Sequence, residues 1–401
     1  MRPQIGTEST AIDFAREPMP GETLHAMLAH LKEQNGPVQE VRFQGMPTWL
    51  VNDSKILRAA FKNEQDFPPA DIYRFALEPL IGRNFQTMEG AEHHIHRQLA
   101  TPSFKPSMLK HFDLDYLRDL GNELIDRFAD RKEVDLAAEF THLFPFIVIS
   151  RLLGLPRDKE DQFQRWALGI LDYMGDRGKA IQCRNELEAY LKPIVSERRI
   201  APAEDIISAL TSVNVDGESL SDDEILATLH LMFSAGASTT HDAMGNLIYG
   251  LLSNDLWSQL GDGKTLISDA IEETLRWETP VAILPRMVSK STAVDIAGVS
   301  VPAGSIVLFA LCGTNRDPSL FPDPEKFRPG GHDYSKTLTF GYGYRTCPGM
   351  HLARLQLNAM LQVLRDRMPD ITLLDIEGAQ PQGCIIRGPR ELRVRRHSLQ
   401  L

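Results

Sequence analysis

The sequence predicts one mainly α-helical domain with small β-sheets, spanning residues 1–401. Three observations carry this expectation. Apolar residues recur at i, i+3 and i+4 over most of Asp53–Asn254, the period of an amphipathic helix. β-branched residues set between turn glycines and prolines are confined to two short patches and the tail of the chain. No linker, internal repeat or low-complexity run divides the sequence, which is long enough to bury a large core. Composition agrees: 42% hydrophobic and 24% charged residues suit a globular chain and are too apolar for a disordered one.

Taken in order, Met1 to Pro20 lacks the basic-then-apolar pattern of a signal peptide, and these first residues are expected to be flexible. Val38–Asn52 alternates on either side of Gly45-Met46-Pro47, a hairpin signal. Tyr116–Asp130, Asp158–Met174 and Cys183–Arg198 carry helical periodicity. Ser221-Asp222-Asp223-Glu224 forms a capping box, and the helix it opens runs from Ile225 to about Leu252, about 42 Å at 1.5 Å per residue. A second β patch lies at Ala293–Leu311. A helix at Met350–Met368 and a short β-tail end the chain. The longest apolar runs, Leu143–Ile149 and Ile306–Cys312, are too short to span a membrane.

Charge and cysteine content narrow the function classes. The formal net charge of −11 argues against bulk binding to nucleic acid or to an anionic membrane surface. Cys183, Cys312, Cys347 and Cys384 are far apart and show no CxxC spacing, which suits a reducing, cytoplasmic setting and gives no disulfide or zinc framework. His93, His94 and His96 suggest a metal site, but no second ligand cluster completes it.

Two stretches depart from ordinary core patterning. Within the long helix, Ser234-Ala235-Gly236-Ala237-Ser238-Thr239-Thr240 is small and hydroxylic where a core helix would carry Leu or Ile. Ala235, Gly236 and Thr239 share a face. Close helix packing and contact with a flat, bulky ligand both remain open readings. The second stretch is Phe340-Gly341-Tyr342-Gly343-Tyr344-Arg345-Thr346-Cys347-Pro348-Gly349, followed by a helix. Cys347 then sits between a glycine-rich loop and a helix N-terminus, where free N–H groups are expected to lower its pKa and favour a thiolate. Gly343 and Gly349 would permit tight turns and close approach to a planar ligand, and Arg345 suits a carboxylate on that ligand.

The pattern F-x-x-G-x-R-x-C-x-G resembles the haem-binding loop of the cytochrome P450 superfamily, in which a cysteine thiolate holds the iron. Glu273-Thr274-Leu275-Arg276 resembles that family's E-x-x-R helix, whose pair is buried beside the cofactor. Asn315-Arg316-Asp317-Pro318 and Phe327-Arg328-Pro329 fall where the family completes this network. His93 with Arg97, and Arg286 after Pro280–Pro285, are similar to the family's propionate ligands. Ala235–Thr240 resembles its oxygen-binding groove. The likeness runs from about residue 20 to residue 396.

The resemblance implies the cytochrome P450 fold, with a long central helix over the cofactor. It implies a haem b on Cys347, with Phe340, Arg345 and Gly349 in the loop around it. It also implies insertion of one oxygen atom of dioxygen into an apolar small molecule, most simply as hydroxylation. Thr239 would guide protons, and Gly236 with Thr239 would locally widen the helix. Leu231, Ser234, Val281, Ala282, Ile283, Leu284 and Ile385 would line the substrate pocket, with parts of Asp71–Met88 and Leu168–Gly175. Arg74 or Arg83 would be the cations available to a substrate carboxylate. Electrons would come to a monomeric enzyme from a separate ferredoxin or flavodoxin, docked on a basic patch with Arg354, Lys105 and Lys110.

Ser238 departs from the family pattern, which has Asp or Glu immediately before the threonine. A serine can relay a proton but cannot store one near neutral pH. Asp242, His241, ordered water or the substrate would then have to supply protons. The alternatives are a haem-thiolate peroxygenase or other non-monooxygenase chemistry, such as a rearrangement without a reductase, and a non-catalytic haem sensor.

Overall fold

Asp53, Asp113, Asp176 and Asp205 each stand just before a helix and accept from its free N–H groups. Ser221 and Glu224 make the reciprocal capping box before the longest one. The computed structural model describes residues 12–101, 113–171, 176–260 and 264–398. Its helices are α1 Thr23–Asn35, α2 Ser54–Ala60, α3 Pro69–Ala76, α4 Glu78–Ile81, α5 Gly90–Ala100, α6 Leu114–Asp126 and α7 Leu143–Leu152. They continue as α8 Glu160–Leu171, α9 Arg177–Ile200, α10 Ile206–Ser212, α11 Asp222–Ser253, α12 Lys264–Trp277, α13 Leu311–Asn315 and α14 Met350–Arg367. The strands are β1 Val38–Phe43, β2 Met46–Val51, β3 Glu133–Asp135, β4 Ile283–Met287, β5 Val294–Ile296, β6 Val299–Val301, β7 Ile306–Ala310, β8 Ile371–Leu373 and β9 Arg393–Arg396.

The strands form three small sheets in the orders β1-β2-β7-β4, β3-β9-β8 and β5-β6. The β1–β2 hairpin turns at Gln44 and Gly45, with φ of 54° and 77°, rather than at Gly45-Met46-Pro47, since Met46 and Pro47 already pair within β2. Positive φ at both central residues matches the right-handed twist of the flanking strands. β4 was not expected, because its Pro285 reads as loop. It is tolerated on the edge of the first sheet, where a residue without an N–H leaves no ladder bond unmade. β3 was also not expected, since three residues are too few to show a period.

α11 is buried along nearly its whole length and packs against α7, α8, α9, α12 and α14. Gly236 permits its close approach to α7: a Cβ there would lie 3.3 Å from Ile149 Cδ1. The helix is continuous through Ser234–Thr240, where Ser234, Ser238, Thr239 and Thr240 each donate to the carbonyl four residues back and so compete with the backbone N–H groups for it. One expectation is corrected. At the other end, the stretch 12–20 is anchored rather than flexible. Phe14 and Met19 are buried in the core, and Asp13 accepts N–H groups from Ala15, Gln44 and Gly45.

Candidate functional site

A cavity of about 270 Å³ lies between α11, the 340–349 loop, α5, β4 and the segment around Tyr73 and Phe85. Each wall follows from its local sequence. On α11 the small residues Ala235, Gly236, Thr239 and Thr240 leave room where larger side chains would fill it. In the loop, Gly341 and Gly343 both have φ of 75°, which lets the chain fold back so that the Cys347 N–H donates to Phe340 O at 2.9 Å. Gly349, at φ −85°, is in a conformation open to any residue. Its contribution is its N–H, which together with that of Met350 points at the Cys347 sulfur from the start of α14.

Cys347 is exposed to the cavity, which the fold encloses around it. Burial raises its pKa, and the two N–H groups with Arg97 and Arg354 pull it down only partway. The expected lowering is thus reversed, because stripping water from a sulfur anion outweighs the helix-end donors. A bound cation would tip this balance toward the thiolate.

Around the thiol, the cavity is lined by Arg97, Arg286, Arg345 and His93, and by no Asp or Glu. Arg97 donates to Thr346 O, and Arg286 to the Tyr73 hydroxyl at 3.1 Å. Neither has a carboxylate partner within ion-pair distance among the described residues. Arg345 pairs with Glu64 at 3.2 Å and donates to Met88 O, but its Nη1 is buried with no hydrogen-bond partner. His93 Nε2 is likewise buried and unpaired. Burial, then Arg345 and Arg97, push the His93 pKa down to about 4. Three arginines offset by the single carboxylate of Glu64, two orphaned donors and one sulfur fit a flat dianionic ligand that carries a thiophilic metal.

Leu231, Val281 and Leu284 are on the wall, as are Phe340 and Gly349. Ala282 and Ile283 are not: both are buried in the core beneath the first sheet, and it is Leu284 and Arg286 of β4 that face the cavity, as strand alternation requires. Ile385 packs against that same core. Ser234 and Ser238 also fall off the wall, their hydroxyls turned onto the carbonyls of His230 and Ser234. Arg74 is held by Thr87 O and Asp71, and Arg83 by Glu92, so neither reaches the cavity. His94 bonds Gln98, and His96 lies between Glu92 O and Glu224, so the histidines of α5 point to separate partners.

Tyr73, Phe85 and Gln86 are the wall residues from Asp71–Met88. Residues 172–175, Lys105 and Lys110 lie outside the described residues, and Leu168 belongs to α8. Thr240, the last residue of the small hydroxylic stretch, is on the wall, whereas Ile149 and Met232 line the cavity without any local signal in the sequence, Ile149 being brought there by the packing of α7 on α11.

Behind the loop, Arg276 and Glu273 of α12 are fully buried and joined by two bonds of 2.7 and 2.8 Å. Arg276 also donates to Asn315 O, Pro324 O and Lys326 O, while Glu273 accepts the Arg328 N–H at 2.6 Å. Asn315 carries the support onward, accepting from Leu338 N–H and donating to Thr339, a cavity residue. Arg316 serves a different cluster, between the buried Glu278 and the exposed Glu22. Arg354 is bound by Glu272 at 2.5 and 3.0 Å and stacks over Phe340, so its charge is already offset on the face where it was expected to stand free.

A family profile described as Cytochrome P450 matches residues 265–365. Cytochrome P450 107B1 of Saccharopolyspora erythraea is 30% identical over 87% of this chain and 88% of its own length. A steroid C26-monooxygenase of Mycobacterium tuberculosis is 29% identical over 73% of this chain and 80% of its own. A solved cytochrome P450 structure from Chondromyces apiculatus has a TM-score of 0.85 at 28% identity, covering 94% of this chain and 96% of that one. Another, from Bacillus megaterium in complex with testosterone, has a TM-score of 0.82 at 27% identity, covering 93% and 99%. With the thiol, the cations and the helix face meeting in one cavity, the chain belongs to the cytochrome P450 family and is a cytochrome P450 monooxygenase.

Proposed function

We propose that this enzyme hydroxylates an apolar small molecule at a haem b held by Cys347, with electrons delivered by a separate ferredoxin or flavodoxin. The observation that carries the reading is the cavity itself, where one thiol, three arginines and His93 meet on a wall that holds no carboxylate. Arg97, Arg286, Arg345 and His93 would hold the two porphyrin carboxylates. His93, with its pKa near 4, does so as a neutral hydrogen-bond donor at pH 7. The haem supplies dioxygen binding and activation when bound, driven by the electron push of the thiolate.

The chain's own residues supply position and protons. Thr239 donates its hydrogen to Ala235 O at 2.8 Å, so its oxygen faces the cavity as an acceptor for a proton-carrying group. Leu231, Val281, Leu284, Phe85 and Ile149 exclude water and favour an apolar substrate. Relatives that act on or bind steroids support a bulky alicyclic molecule. A monomeric, cytoplasmic enzyme is in keeping with four unpaired cysteines. No helix among the described residues is long and apolar enough to cross a membrane.

Reduction of the pigmented protein under carbon monoxide tests the reading. The expected result is the red-displaced Soret band of thiolate ligation, lost in Cys347→Ala. A pigmented wild type without that band, or a variant that keeps it, overturns the reading. Ser238 favours peroxide use as a second reading, which product formation from peroxide alone, exceeding that from NAD(P)H and a ferredoxin, would support.

A further inference from the structure

Monooxygenation consumes two protons for each oxygen molecule, and these must reach a cavity on whose wall no carboxyl stands. The nearest candidate on α11 is Asp242, one turn beyond Thr239. It is buried, at 4% exposure, and has no hydrogen bond or ion pair among the described residues. Its carboxyl lies against the backbone of Gly388, where a Cβ would come within 2.2 Å of Oδ1. Thr239, Asp242 and Asn246 fall at i, i+3 and i+7, a single stripe running inward from the cavity. Asn246 donates to Glu278 O and Arg387 O, but its Oδ1 is buried and unpaired. The fully buried Thr279 hydroxyl is also unpaired, and it adjoins Pro280, a wall residue. Buried polar atoms without partners are rare and mark a place where water or protons are handled.

We propose that Asp242 is the proton store of this enzyme, passing protons to the cavity by way of Thr239 and the unpaired Thr279 hydroxyl. The proposal rests on the functional reading above. Each delivered proton leaves Asp242 a carboxylate, and one proton from solvent restores it, so the side chain is unchanged over a turnover. The electrons and oxygen are those of the established reaction. Burial pushes the Asp242 pKa up to about 7, with Arg390 opposing, so the group is poised to give and regain a proton near neutrality. The groups facing it are few. Arg390 of the C-terminal loop is exposed, and Arg387 of that loop is occupied by Glu278. His241 on its own helix is bonded to Thr141 and lies 4.9 Å from the His142 ring, with burial lowering the pKa of both histidines.

The test uses the holoenzyme with NAD(P)H and a surrogate ferredoxin system. Asp242→Asn should lower product per NAD(P)H by about tenfold and release the difference as peroxide. It should also flatten the wild-type fall in coupling above about pH 7. Asp242→Glu, or Asp242→Asn combined with Ser238→Asp, should restore coupling, which a merely structural loss would not allow. Independently of turnover, wild type at neutral pH should show a protonated-carboxyl infrared band that Asp242→Asn lacks. Unchanged coupling in Asp242→Asn with the carbon monoxide signature intact, or no such infrared band, sinks this inference alone. Absence of that signature in wild type removes the functional reading and this inference with it.

Discussion

Arg276 offers a demanding test of how the protein supports its cysteine loop. A guanidinium has five N–H donors, and here all five are used: two on Glu273 and one each on Asn315 O, Pro324 O and Lys326 O. Both side chains of the pair are 0% exposed. Arg276→Lys keeps the charge but offers three donors, so at least two buried acceptors lose their partner, at about 1–3 kcal/mol each. The expected loss is about 2–6 kcal/mol. Glu273→Gln keeps the shape but leaves a buried cation without its counter-charge, a loss of about 3–5 kcal/mol. Urea unfolding of wild type and both variants, followed by one spectroscopic probe, measures these losses at constant m. If both variants lose less than about 1 kcal/mol, the network does not hold the loop as argued.

Two further outcomes follow from the charge distribution. Burial would raise the Glu278 pKa, but Arg387, His25 and Arg316 outweigh it and bring it to about 2. His25 is itself lowered by burial and by Arg316 and is neutral near pH 7, so the arginines carry most of this effect. A folded-state pKa of about 2 against an ordinary 4.5 contributes about 3 kcal/mol that is fully present above pH 4.5 and lost as pH falls through 2. Glu278→Gln should therefore be less stable than wild type at neutral pH, with the gap closing in acid. Acid titration of unfolding free energy checks this, and a gap independent of pH refutes it.

Arg97→Gln should have opposite effects on the two forms of the protein. It relieves crowding with Arg345 and His93 in the cofactor-free chain, leaving its stability unchanged or raised by about 1 kcal/mol, while weakening cofactor retention. Thermal unfolding of both forms, with haem loss to an acceptor protein, measures the contrast. Equal destabilisation of both forms would refute the cradle.

Where one stretch of chain sets its own conformation, the sequence was sufficient. The capping box at Ser221 and Glu224, the existence of a hairpin around Gly45 and the glycine loop before Cys347 are local devices, because their hydrogen bonds close within a few residues. The order of motifs along the chain therefore named the family and the candidate ligand before any contact was known.

Other features depended on partners brought from far along the chain. β4 exists because β7 supplies its ladder at an edge that tolerates Pro285, and that pairing turns Leu284 toward the cavity and Ile283 into the core. Glu272 offsets Arg354, Gly388 and Arg390 shape the surroundings of Asp242, and burial decides the ionisation of Cys347. Desolvation and pairing are properties of three-dimensional neighbourhoods. A residue's place in the sequence carries its chemistry, but not the dielectric or the counter-charge that sets how that chemistry is used.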